Sequence, residues 1–154
     1  MTVVKICGVT TLEDALAAAQ AGADMLGLNF YPPSPRYLPP EDAIAIVEGL
    51  RAALGADCPA LGGVFANDPP ERVRALRRRV GLDFVQLSGD EPVSDLALLG
   101  GYSIKALRPR DKDEALELAR RYHPHAPRAD NLPALLLDAY HPNLYGGTGE
   151  QASV

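Results

Sequence analysis

Short apolar runs alternate with amphipathic stretches along this chain. Val3, Val4 and Ile6 make the first run, which ends in Cys7-Gly8. After two threonines, Leu12, Ala15, Leu16 and Ala19 recur at helical spacing. The pattern predicts a strand over 3–7, a tight turn and a helix. Thr10 opens that helix, with Glu13 three residues on at capping-box spacing. Gly22 follows where a left-handed cap is common.

The unit then repeats. Further strands are expected at 24–30, 60–65, 82–87, 102–107 and 133–138. Helix 2 starts at Pro40 or Glu41, after a proline-rich loop, and turns Ile44, Val47, Leu50 and Leu54 inward. Asp68-Pro69 and Glu71 start helix 3, whose inner face is Val73, Leu76 and Val80. Helix 4 runs from near Glu91-Pro92 to Gly100-Gly101, and helix 5 covers about 111–122. The arginines of helix 3 read as a solvated face.

Strands alternating with helices imply an α/β fold with a parallel sheet and right-handed crossovers. Wholly apolar strands such as Leu135-Leu136-Leu137 suit a sheet covered on both faces. No linker interrupts the alternation, so one domain over 1–154 is expected. Two architectures fit. One is a (β/α)8 TIM-barrel type, of which the chain holds about six of eight units, because a complete barrel needs at least about 200 residues. The other is a complete doubly wound open sheet.

Composition narrows the function. The 154 residues carry a net charge of -5, which argues against general nucleic-acid or anionic-membrane binding. No apolar run reaches membrane-span length, and the N-terminus has no signal-peptide pattern. Cys7 and Cys58 do not form a disulfide framework, so a reduced, cytoplasmic setting is expected.

Candidate chemistry gathers at strand ends. Cys7 closes strand 1 before a glycine and faces a helix N-terminus, a setting that favours a thiolate over an inert core thiol. Cys58, in a loop, reads as a bystander. Asp138 closes strand 6, where a partly desolvated carboxyl group suits general acid or base work. Arg36 lies in a loop stiffened by Pro32, Pro33 and Pro35, and its planar fork suits a carboxylate. Gly146-Gly147-Thr148-Gly149 offers a lid or a backbone-amide anion nest but lacks a P-loop lysine. His123 and His125 have no matching ligand set, so no metal site is expected. His141 reads as a loop residue.

Several ordered segments carry a resemblance. They are Val4-Lys5-Ile6-Cys7-Gly8-Val9-Thr10, Gly27-Leu28-Asn29-Phe30-Tyr31, Ser34-Pro35-Arg36-Tyr37 and Gly63-Val64-Phe65. Val85-Gln86-Leu87-Ser88-Gly89-Asp90-Glu91, Ile104-Lys105-Ala106, Leu136-Leu137-Asp138 and Gly146-Gly147-Thr148-Gly149 follow in order. The set resembles the phosphoribosylanthranilate isomerase family of tryptophan biosynthesis. The resemblance implies an Amadori rearrangement of a phosphorylated aminosugar of anthranilate, without metal or organic cofactor. Asp138 would be the general acid, Cys7 the general base, and Arg36 the holder of the anthranilate carboxylate. Ser88, Gly146 and Gly147 would border the substrate.

Two departures accompany the resemblance. Ser88 stands where the family usually has His, although a serine can still donate a hydrogen bond. The family pattern also continues beyond Gly-Gly-Thr-Gly through two more strand–helix units, whose loops hold the substrate phosphate. Strands 1 and 6 are therefore expected as open apolar edges, a route to self-association.

Overall fold

A computed structural model describes residues 2–143, 145 and 151. Six strands alternate with five helices among these residues. They are β1 (Lys5–Cys7), α1 (Leu12–Gln20), β2 (Met25–Asn29), α2 (Pro40–Leu54), β3 (Ala60–Phe65), α3 (Pro70–Val80), β4 (Phe84–Leu87), α4 (Val93–Leu99), β5 (Ser103–Leu107), α5 (Lys112–Tyr122) and β6 (Leu135–Leu137). Short 3-10 turns follow α2 at Gly55–Asp57 and α5 at His123–His125.

The strand order is β1-β2-β3-β4-β5-β6. A doubly wound sheet reverses its order at a switch point. No reversal occurs here, so the architecture is the (β/α)8 TIM-barrel type, of which the described residues hold six strands and five helices. The chain forms two compact units, 1–65 with 71–85, and 66–70 with 86–154.

In the first unit β2 pairs in parallel with β1 and β3, placing Cys7 opposite Gly27 and Gly27 opposite Gly62. Leu26, Leu28, Phe30, Leu61, Phe65 and Phe84 are fully buried, and the Phe30 and Phe65 rings stack at 5.2 Å. The helix start differs from the expected one. Thr11, not Thr10, caps α1, and its hydroxyl accepts from the Asp14 N–H at 3.1 Å. Thr11 and Asp14 have the same spacing as Thr10 and Glu13, so only the extended backbone at Thr11 selects between them. On α2 the inward face is Ala43, Ile46, Val47 and Leu50, while Ile44 and Leu54 are half-buried. Of the α3 arginines Arg72, Arg78 and Arg79 are exposed, as expected of a solvated face, while Arg74 and Arg77 are half-buried. Arg79 pairs with Glu41, and Arg77 lies half-buried with a hydrogen bond to the Asp83 carbonyl.

In the second unit β5 pairs in parallel with β6, and Leu96, Leu99, Ile104 and Leu107 form the core. Asp111 caps α5 by accepting from the Glu114 N–H at 2.9 Å. Strands β2 to β5 are buried except at Asn29 and Ala60, which are half-buried, but β1 and β6 have no buried residue. Val3, Val4 and Ile6 are exposed in the first unit, and Leu137 in the second. Apolar side chains of both strands, Ile6 and Leu137, are thus exposed. The two-faced covering expected of Leu135, Leu136 and Leu137 is not observed. No helix among the described residues is long and apolar enough to cross a membrane.

Packing in the first unit generates a prediction. A Cβ placed on Gly62 would lie 2.1 Å from the buried Phe84 ring. Gly62→Ala is expected to cost about 1–3 kcal/mol by overpacking. A lower urea midpoint at unchanged slope would confirm this.

Candidate active site

Parallel pairing sends neighbouring strands to the same edge of the sheet, and the candidate residues follow. In the first unit Cys7 ends β1, half-buried. The Gly8 N–H donates to the Gly27 carbonyl at 2.8 Å, holding the turn beyond Cys7 against β2. Gly27 leaves room for the thiol: a Cβ there would lie 2.9 Å from Cys7 Sγ and 3.3 Å from Lys5 Nζ.

Arg36 comes to the same place from the loop after β2. Its Nη1 donates to the Cys7 carbonyl at 3.2 Å. Prolines alone do not shape that loop. The Asn29 side chain accepts from the Tyr31 N–H at 2.8 Å and donates to Ser34 Oγ at 3.2 Å. Ser34 Oγ in turn accepts from the Arg36 N–H. The guanidinium passes over Gly8, where a Cβ would lie 2.6 Å from Arg36 Cδ and Nε. Arg36 is exposed as a whole.

In the second unit Asp138 follows β6, half-buried. Its N–H donates to the Leu107 carbonyl at 2.9 Å, and its Oδ1 accepts from the Ala139 N–H at 2.9 Å. Ser88 lies just beyond β4, buried, and its Oγ accepts from Gln86 Nε2 at 3.0 Å.

A polar network surrounds Ser88. Lys105 donates to the Leu87 carbonyl at 3.1 Å, the Gly89 carbonyl at 2.7 Å and Glu91 Oε2 at 2.9 Å. Glu91 Oε1 accepts from the N–H groups of Asn67 and Gly89. Asn67 holds a positive φ of 61° and accepts from the Asp90 N–H at 2.7 Å. Asp90 also pairs with Arg108 at 2.7 Å and accepts from the Tyr145 hydroxyl at 2.8 Å. Burial pushes the Lys105 ammonium below its ordinary range, against the upward pull of Glu91. The hydrogen bond to Asp90 pushes the Tyr145 phenol up.

Cys7 and Arg36 thus meet within one unit, while Ser88 and Asp138 belong to the other. Gly146 and Gly147 lie outside the described residues. Burial pushes the Cys58 thiol up, the opposite of activation. His141 accepts from the Asn143 N–H, as a loop residue does. No three His, Cys, Asp or Glu side chains cluster to hold a metal among the described residues. A surface cavity of about 410 Å³ beside α4 is lined by Leu96, Pro124, His125 and Arg128, and it holds none of the candidate residues.

Asn29, Glu91 and Lys105 enter from sequence only as members of the ordered segments, with no role of their own. A lysine in the middle of an apolar strand, and an asparagine at a strand end before a proline loop, were the available signals.

A model of the family described as N-(5'-phosphoribosyl)anthranilate (PRA) isomerase matches residues 4–153. An N-(5'-phosphoribosyl)anthranilate isomerase from Geobacter sulfurreducens is 44% identical over 149 residues, covering 97% of this chain and 66% of the relative. One from Myxococcus xanthus is 45% identical, covering 95% and 64%. The crystal structure of phosphoribosyl anthranilate isomerase from Thermotoga maritima aligns with a TM-score of 0.79 at 36% identity, covering 95% of this chain and 65% of that one. A structure of such an isomerase in complex with reduced 1-(o-carboxyphenylamino)-1-deoxyribulose 5-phosphate aligns at 0.76 and 35%, covering 91% and 66%. The chain therefore spans about two thirds of the length of the relatives it matches.

The approach of Arg36 to Gly8 can be tested against a second glycine. Gly8 and Gly22 both have positive φ, but nothing lies within 4 Å of a Cβ on Gly22. Alanine at either position carries backbone strain of about 1–3 kcal/mol. Gly8→Ala is expected to lose more stability than Gly22→Ala. Parallel urea unfolding checks this; equal losses would mean that Arg36 swings aside freely.

Proposed function

Because the chain belongs to the phosphoribosylanthranilate isomerase family, we propose that it serves the Amadori rearrangement of N-(5-phosphoribosyl)anthranilate to 1-(2-carboxyphenylamino)-1-deoxyribulose 5-phosphate. In this reading Asp138 protonates the furanose ring oxygen, and the ring opens to a Schiff base with the anthranilate nitrogen. Cys7 removes the C2 proton, the nitrogen accepts the electron pair, and an enolamine forms. Protonation at C1 and loss of the hydroxyl proton on C2 give the ketone. Hydrogen moves from C2 to C1 with no net oxidation, so the chemistry asks for an acid and a base alone.

Arg36 holds the anthranilate carboxylate, and Ser88, Gly146 and Gly147 border the substrate. One observation carries the reading: the guanidinium of Arg36 is fastened to the carbonyl of Cys7. A carboxylate bound by that guanidinium would lie at the end of β1 that carries the thiol. We place the protein in the cytoplasm as one incomplete (β/α) barrel domain over 1–154, with a small-molecule substrate and neither nucleic acid nor membrane as partner. The exposed Ile6 on β1, with Val3 and Val4 just before it, suits self-association.

Isomerase assays test the roles. Cys7→Ala and Asp138→Asn are each expected to lower kcat by about 100-fold or more, the usual range for a removed general acid or base. Arg36→Met is expected to raise KM with a smaller change in kcat. Retained turnover in Cys7→Ala or Asp138→Asn sinks the assignment. Anthranilate binding by a wild-type protein that does not turn over would favour a carboxylate-binding role instead.

A further inference from the structure

The backbone around Ser88 is held by two buried ions. Lys105 and Glu91 side chains are 4% and 1% exposed. A lysine ammonium has three donors and no acceptor. All three are used, on the carbonyls of Leu87 and Gly89 and on Glu91. Those two carbonyls belong to the residues on either side of Ser88. Glu91 takes the N–H of Gly89 as well, and the N–H of Asn67 from the loop after β3. The Tyr122 hydroxyl donates to the Glu91 carbonyl and fastens the far end of the turn to α5.

Stability alone does not call for ions here. Replacing a buried ion pair with apolar side chains of similar volume is often neutral or stabilising. What an apolar pair cannot do is satisfy the main-chain groups of 87–89 in this one shape. Gly89 is forced by the same geometry, since a Cβ on it would lie 2.5 Å from Asn67 Oδ1.

We propose that Glu91 and Lys105 are positioning residues, which fix the backbone on both sides of Ser88 and so set the part of the substrate site that Ser88 forms. The proposal rests on the functional reading above. Neither ion touches substrate. Each acts through the turn, so substrate affinity responds more than the chemical step.

Three variants test this. In Glu91→Gln, amide exchange at Gly89 and Asn67 is expected to quicken about tenfold or more, as their charge-assisted bonds weaken. Its KM is expected to rise about tenfold with kcat changed less than about threefold. In the Ser88→Ala background Glu91→Gln should add little to KM, because the two changes share one route. The double variant Glu91→Met, Lys105→Met removes both buried charges, so no unpaired ion is left to unfold the protein: it should keep a cooperative unfolding transition and still show the raised KM. Unchanged exchange in Glu91→Gln, a wild-type KM in the double variant, or additive effects with Ser88→Ala would each overturn the proposal. A wild-type protein without isomerase turnover would overturn the functional reading instead, and the exchange measurement still decides whether the ions hold the turn.

Discussion

Parallel strand pairing is the constraint from which the candidate site follows. Two parallel neighbours end at the same edge of the sheet, so whatever follows each strand is delivered to one place. In the first unit that rule brings the turn after Cys7 to the Gly27 carbonyl and leaves the loop after Asn29 to return over Gly8. In the second it brings Asp138 to the carbonyl of Leu107. Chemistry at strand ends thus needs no long-range coincidence. It needs short strands, correct register and turns that hold still.

The turns hold still by different means in the two units. Around Cys7 the device is missing side chains. Gly27 leaves space for the thiol and Gly8 for the guanidinium, and the positive φ of Gly8 starts the turn. Around Ser88 the device is charge. Desolvating Lys105 and Glu91 is costly, and that cost is offset only because every ammonium hydrogen and both carboxylate oxygens find partners. In low dielectric an unsatisfied member would be worse than an apolar residue, so the network is close to all-or-none. The left-handed Asn67 belongs to it, since its amide and side chain bind Glu91 and the Asp90 N–H together.

The sequence made the strands legible because each is a compact apolar run bounded by glycine, proline or a cap. It also made the strand-end positions of Cys7 and Asp138 legible, since both sit at the last position of such a run or just past it. It was ambiguous where a pattern admits two solutions. Thr10 with Glu13 and Thr11 with Asp14 are equivalent as letters, and only the backbone picks Thr11. Apolar residues at 43, 44, 46 and 47 allow more than one helical stripe, and packing selects Ile46 over Ile44. Lys105 was illegible for another reason: its acceptors lie 14, 16 and 18 residues away and two of them are carbonyls. No side-chain pattern announces a carbonyl.

That last point bears on the serine at position 88. If side chains alone shaped this part of the site, exchanging one residue for another would remake it. Here the shape lies in the main chain of 87–91, which is held by residues outside the position exchanged. Gln86 fixes the serine oxygen, Lys105 the flanking carbonyls, and Glu91 the next amide. A different side chain at 88 changes which group is offered from a fixed platform and not the platform itself. The placement of Asp138, set by the β5–β6 pairing, does not depend on which side chain stands at 88.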